Sequence, residues 1–176
     1  MTSPGPMNRC RAIWRWAFAA SCLVVCVCSL AACAHVVSEA ARERVDRSLS
    51  TEMLFADPDA HRGKTVLIGG AIVGVRNTKE GSFLEVIEHA LDGRGRPRYT
   101  DVSLGRFLLL SEEYLDPGIF AEGRPVTAVG EVIGKTVRPL DEIDYSYPLI
   151  RTEELHVIDR GGRFPVGISI GVGATF

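Results

Sequence analysis

The stretch TVLIGGAIVGV, residues 65 to 75, constrains the fold of this chain more than any other. Its valines and isoleucines favour an extended backbone, yet Gly69, Gly70 and Gly74 interrupt it. Glycines inside a strand mark a bulge, a sharp bend or the close approach of another backbone. The run is therefore read as a kinked first strand. RNTKEGS follows as a hairpin loop, and FLEVIEHAL alternates as the partner strand. Phe83, Glu85 and Ile87 fall on one face of it, and Leu84, Val86 and Glu88 on the other.

DGRGRPRYT is a second loop, and DVSLGRFLLLS, residues 101 to 111, a third strand. In EEYLDPGIFAEG, Asp116-Pro117 reads as a helix start with proline in the first turn, and Gly123 as its end. Leu115, Ile119 and Phe120 are spaced there to bury one face. RPVTAVGEVIGKTV returns to strand, RPLDEIDYSYPL reads as a polar loop, and LIRTEELHVID as a fifth strand. The expected fold is mainly β: a small OB-like, five-stranded Greek-key barrel with one short helix between strands three and four. An open antiparallel sheet with one covering helix is the alternative. Residues 161–176 form a Gly-rich tail or an added edge strand, with Val166, Ile168, Ile170 and Val172 at every second position.

The start of the chain carries an address. Arg9, Arg11 and Arg15 are the only charges before residue 39, and AFAASCLVVCVCSL is an apolar run of signal-peptide length. Met7 would serve as the initiator, because MTSPGP adds nothing that a signal needs. Leu30-Ala31-Ala32-Cys33 then resembles the bacterial lipobox, in which small residues flank a scissile bond and an invariant cysteine takes the lipid. Residues 1–32 are thus expected to be a lipoprotein signal peptide, forming an N-terminal signal helix. Cleavage falls between Ala32 and Cys33. An uncleaved membrane anchor is the competing reading, since the apolar stretch almost reaches the ~20 residues of a spanning helix.

All five cysteines lie at or before residue 33. The mature chain would keep only Cys33, blocked by diacylglycerol and an N-acyl chain (palmitate among them). No disulfide, thiolate nucleophile or cysteine metal site is expected. Three acyl chains at ~0.8 kcal/mol per buried CH₂ anchor a protein permanently. Ala34 follows the cysteine in place of the aspartate associated with inner-membrane retention. The expected location is the outer membrane, lipid-anchored, on the periplasmic face. Residues 33–53 are read as a lipidated, solvated tether and 54–160 as the barrel domain.

Without the three signal arginines the chain holds 17 basic against 22 acidic residues, near −5. A net acidic domain argues against a nucleic-acid partner. The four histidines show no ligand spacing, so no metal and no cofactor beyond the covalent lipid is expected. No Gly-x-Ser-x-Gly context marks a nucleophile, and GKT at 63–65 lacks the earlier glycine of a P-loop. No catalytic residue is assigned. Arg94, Arg96, Arg98 and Arg106 gather near Tyr99 and Phe107, and Tyr145 and Tyr147 mark a loop–strand junction. They are the candidate surface for a ligand or partner such as envelope protein, glycan or lipid. An ordinary exposed loop and packing at the barrel mouth are the simpler alternatives.

LAAC, GKTVLIGGAIVGVRN, FLEVIEHALDGRGRPR, GRFLLLSEEYLDPGIFAEGRPVTAVGEVIG and YSYPLI together resemble the Slp family of outer-membrane lipoproteins, from Cys33 to about residue 157. The resemblance implies an envelope lipoprotein tied to stationary phase or stress, with no established enzymatic activity. Only Cys33 carries over, as the lipid site. The leading expectation is a non-enzymatic interaction or envelope-stabilising module. The alternative is a periplasmic ligand-binding lipoprotein for an anionic envelope lipid or glycan, and a cell-wall-acting enzyme is the third class.

Overall fold

A computed structural model describes residues 35–159 and 166–168. The chain divides into a unit ending at Ala34 and one beginning at His35, and the second is described below. The signal segment, Met7, Ala32 and Cys33 lie outside the described residues.

The domain is mainly β, with a few short helices ahead of the sheet. Five strands carry it: β1 (Thr65–Thr78), β2 (Gly81–Glu88), β3 (Arg106–Ser111), β4 (Pro125–Leu140) and β5 (Ile143–Val157). β1 pairs antiparallel with β2 and β4, β2 with β3, and β4 with β5. A parallel pairing of Leu108–Leu110 in β3 with Leu149–Arg151 in β5 joins the remaining edges. Following the pairings from β1 through β2, β3, β5 and β4 returns to β1, so no long edge of these five strands is left open.

The glycines of β1 explain how one strand serves two partners. Gly70 pairs with Glu88 of β2 and with Val126 of β4. A β-carbon there would collide with the Ile87 carbonyl oxygen. The register then slips between Ile72 and Gly74, a bulge that turns the second half of β1 toward β2 alone. The expected kink is thus present, and close backbone approach is its cause.

β2 alternates as its sequence suggests, with Ser82, Leu84, Val86 and Glu88 buried. Leu84 and Val86 meet Phe107 and Leu109 of β3, Val126 and Val132 of β4 and Ile150 of β5 in one continuous core. Each large apolar side chain removed from water contributes about 1.5–3 kcal/mol before its ordering entropy is subtracted.

Three expectations are corrected. No helix forms between β3 and β4. Asp116 accepts the backbone N–H of Ile119 and Phe120 through its carbonyl, and that of Gly118 through its carboxylate. The aspartate holds a turn, and a single turn followed by glycine cannot repay helix nucleation. Leu115 and Phe120 are buried as expected, but Ile119 is exposed.

RPLDEIDYSYPL is strand rather than loop. The β4–β5 ladder runs on to Leu140 opposite Ile143, closed by a two-residue turn in which Asp141 takes φ 52°. Aspartate tolerates that left-handed conformation. Pro139 and Pro148 lie within this ladder, in its outer half beyond the five-strand circuit, where one ladder donor is dispensable.

Residues 36–53 are not a solvated tether. Helix α1 (Glu39–Arg44) is capped by Ser38, and α2 (Thr51–Ala56) by Ser50. A 3-10 turn, Pro58–His61, leads into β1. Val36, Val37 and Ala41 are buried against Val129 and Ile158, with Val45 and Leu67 alongside. Val37, Ala41 and Val45, four residues apart, are the thin apolar stripe that seats the segment. At the other end of the chain, the described part of the Gly-rich tail, β6 (Val166–Ile168), pairs antiparallel with Leu155–Val157 of β5.

A candidate binding cleft

The extra length of the β4–β5 hairpin builds a cleft against the β1–β2 hairpin. The cleft has a volume of about 440 Å³ and is lined by Val75, Arg76 and Phe83 on one side and by Arg138, Pro139 and Tyr147 on the other. That volume lies within the range of small-molecule sites. Arg76 stands directly opposite Phe83 in the β1–β2 register, so its guanidinium lies 5.7 Å from the ring centroid. Arg138 reaches the same ring from the other hairpin, at 4.3 Å. Two cations therefore share one aromatic platform, each attracted by the ring's negative face.

Gly74, Leu108 and Glu85 complete the lining. Glu85 accepts from the Arg106 guanidinium at 2.7 Å and from the Tyr147 hydroxyl at 3.3 Å. Tyr147 packs edge-on against Tyr145, centroids 4.7 Å apart, and the Tyr145 hydroxyl accepts the Arg106 backbone N–H. Burial, then the Glu85 charge, pushes the Tyr147 phenol above its ordinary pKa. The Glu85 bond raises Arg106 further. Arg138 moves the opposite way: burial first, and then the charge of Arg76, disfavour its cationic form. No carboxylate pairs with Arg76 or Arg138 among the described residues, whereas Arg44, Arg62, Arg106, Arg124 and Arg151 each face one.

Of the residues singled out in the sequence, Arg106, Tyr145 and Tyr147 converge here. Arg94, Arg96 and Arg98 belong to the 90–98 loop, whose anchors are different. The Asp92 carboxylate accepts the N–H groups of Arg94 and Arg96, and these bonds, Arg96's first, hold its pKa below the usual range. The Arg94 carbonyl accepts from Val36, and the Gly95 carbonyl from the buried Thr127 hydroxyl. The loop packs the N-terminal segment, with the Arg94 and Arg98 side chains exposed.

Sequence reasoning missed Arg76 and Arg138, because each stands in a stretch that reads as loop. Phe83 and Glu85 were placed together on one face, without the cations that meet them. The arginine immediately before the NTKEG turn, two residues of strand away from Gly74, was the available signal.

The result is a small β domain with a cation-lined cleft, and no helix among its described residues is long and apolar enough to cross a membrane. The family model of the outer membrane lipoprotein Slp family matches residues 30–160, from the LAAC motif through β5. The chain belongs to the Slp family of outer membrane lipoproteins. No curated protein matches it.

Proposed function

We propose that this chain is a non-enzymatic interaction module, held at the periplasmic face of the outer membrane by lipid on Cys33. The observation that carries this reading is the family match itself, which begins at Leu30 and so takes in the lipobox together with the folded domain. Cys33 is the residue that receives diacylglycerol and, after cleavage behind Ala32, an N-acyl chain. The circuit of five strands with a parallel β3–β5 closure and a bulged β1 supports an OB-like barrel as the scaffold. Turns take the place of the helix that such barrels often carry between strands three and four.

Val36, the first buried residue of the domain, comes three residues after Cys33. Three residues span at most about 11 Å. A lipid on Cys33 therefore holds the Val36–Ala41 end of the domain close to the bilayer, with no long stalk. Such a domain would act on the membrane surface or on partners beside it, as an envelope-stabilising element in stationary phase or under stress.

Palmitate labelling and membrane fractionation of the wild type and Cys33→Ala test the reading. Wild type is expected to be labelled and to fractionate with the outer membrane, and the variant to be unlabelled and released. Unlabelled wild type, or a Cys33→Ala variant still in the outer membrane, would overturn it.

A further inference from the structure

We propose that the cleft between the β1–β2 and β4–β5 hairpins binds a phosphomonoester, contacted by Arg76 and Arg138 and steadied by the Phe83 ring beneath them. The proposal deepens the interaction-module reading and does not depend on the lipid anchor.

Charge is the first argument. The mature domain is acidic, yet Arg76 and Arg138 line a cleft whose one lining carboxylate, Glu85, is paired with Arg106. That leaves two uncompensated positive charges at one spot. A phosphomonoester carries about −1.5 to −2 at neutral pH and matches them, whereas a carboxylate would match only one.

Geometry is the second. A guanidinium lying over a ring keeps its planar edge free, and that edge presents paired N–H donors to an oxyanion. Arg138 and Arg76 approach one ring from two hairpins, and both line the same cleft. Glu85 lines the same cleft, but its Oε1 accepts from Arg106 and Tyr147, and it forms no ion pair with Arg76 or Arg138. Burial, and after it the charge of Arg76, disfavours the cationic form of Arg138, and a bound dianion offsets that repulsion. The walls formed by Val75, Leu108 and Pro139 leave an apolar flank for the body that carries the phosphate.

The test is calorimetric titration of the full-length protein in neutral maltoside micelles with glucose 1-phosphate, inorganic phosphate, glucuronate and glucose. Saturable binding of glucose 1-phosphate is expected, weakening with added salt, and falling about tenfold or more in Arg76→Ala and Arg138→Ala. Arg94→Ala, outside the cleft, should bind as the wild type does. Glu85→Gln removes the one opposing charge and should bind several-fold more tightly.

Glucose 1-phosphate binding that exceeds inorganic phosphate identifies a phosphorylated small molecule. Equal binding identifies free phosphate. Competition by phosphatidic acid in phosphatidylcholine vesicles identifies a lipid headgroup as the source. The proposal is overturned by glucuronate binding as tightly as glucose 1-phosphate, or by no saturable binding of either phosphate compound. Unchanged binding in both arginine variants overturns it too. Should those variants unfold, an unchanged or weakened affinity in Glu85→Gln does the same. Failure here would leave palmitate labelling and fractionation intact, and failure there would leave this cleft's affinity intact.

Discussion

Ser38 donates its backbone N–H and its hydroxyl to the two carboxylate oxygens of Glu154, at 2.9 and 2.8 Å, across 116 residues of chain. The same hydroxyl accepts the Ala41 N–H and caps α1. One serine thus starts a helix and ties it to β5. His156, mostly buried beside it, bonds Oε1 of Glu154, the oxygen that also accepts the Ser38 N–H, at 2.5 Å.

Ser38→Ala removes the cap and the hydroxyl's half of the tie, leaving only the backbone N–H bond to Glu154. The expected loss is about 1–2 kcal/mol of stability. Hydrogen exchange should accelerate at Val36 to Arg44 well before it does in β1–β5. Uniform acceleration across the sheet would show instead that the segment and the sheet unfold as one unit.

Acid should loosen the same segment. Burial disfavours the Glu154 charge, but the bonds from His156 and Ser38 outweigh it and leave its pKa below the usual carboxylate range. Asp46 is held at about 2, first by the Ser48 hydroxyl and then by Lys64. Both groups have lower pKa values folded than unfolded. Their stabilisation is complete above the ordinary range, near pH 4, and is lost as pH falls through the folded values. Limited proteolysis should therefore cut near residues 36–48 progressively between about pH 4 and pH 2. Protection that stays flat over that interval would contradict the assignment.

Gly70→Ala should cost about 3 kcal/mol or more, since the new methyl group meets the Ile87 carbonyl oxygen between two paired strands. Gly74→Ala is the control: nothing lies within 4 Å of a β-carbon there, and the change is expected within about 0.5 kcal/mol of neutral. Thermal unfolding of the two variants decides whether β1 needs glycine for room or for bending alone.

Thr127→Val deletes a fully buried hydroxyl that donates to the Gly95 carbonyl at 2.7 Å. An unpaired buried carbonyl costs about 1–3 kcal/mol. The 90–98 loop should become the fastest-exchanging part of the domain, with its Leu91–Pro97 bridge lost. Circular dichroism in the far ultraviolet should stay that of the wild type.

Period-two alternation made β2 legible, because one of its faces is buried and the other is not. The glycines made the kink of β1 legible, and the motifs in order from LAAC to YSYPLI pointed to the family before any tertiary contact was known. The hairpin beyond Lys135 was not legible. Its prolines and acids read as loop, and the ladder forms there because β4 and β5 are already aligned by the core. The helix between β3 and β4 had the right end signals, but the Asp116 carboxylate holds a turn in its place.

Composition and local pattern by themselves determined the β class and the strands with one wet face. These depend on neighbours in sequence, and local chemistry suffices to specify them. The seating of residues 36–44 and the meeting of Arg76, Phe83 and Arg138 were decided by the tertiary structure alone. Arg138 follows Arg76 by 62 residues, and only the closure of five strands into one circuit brings both to a single ring.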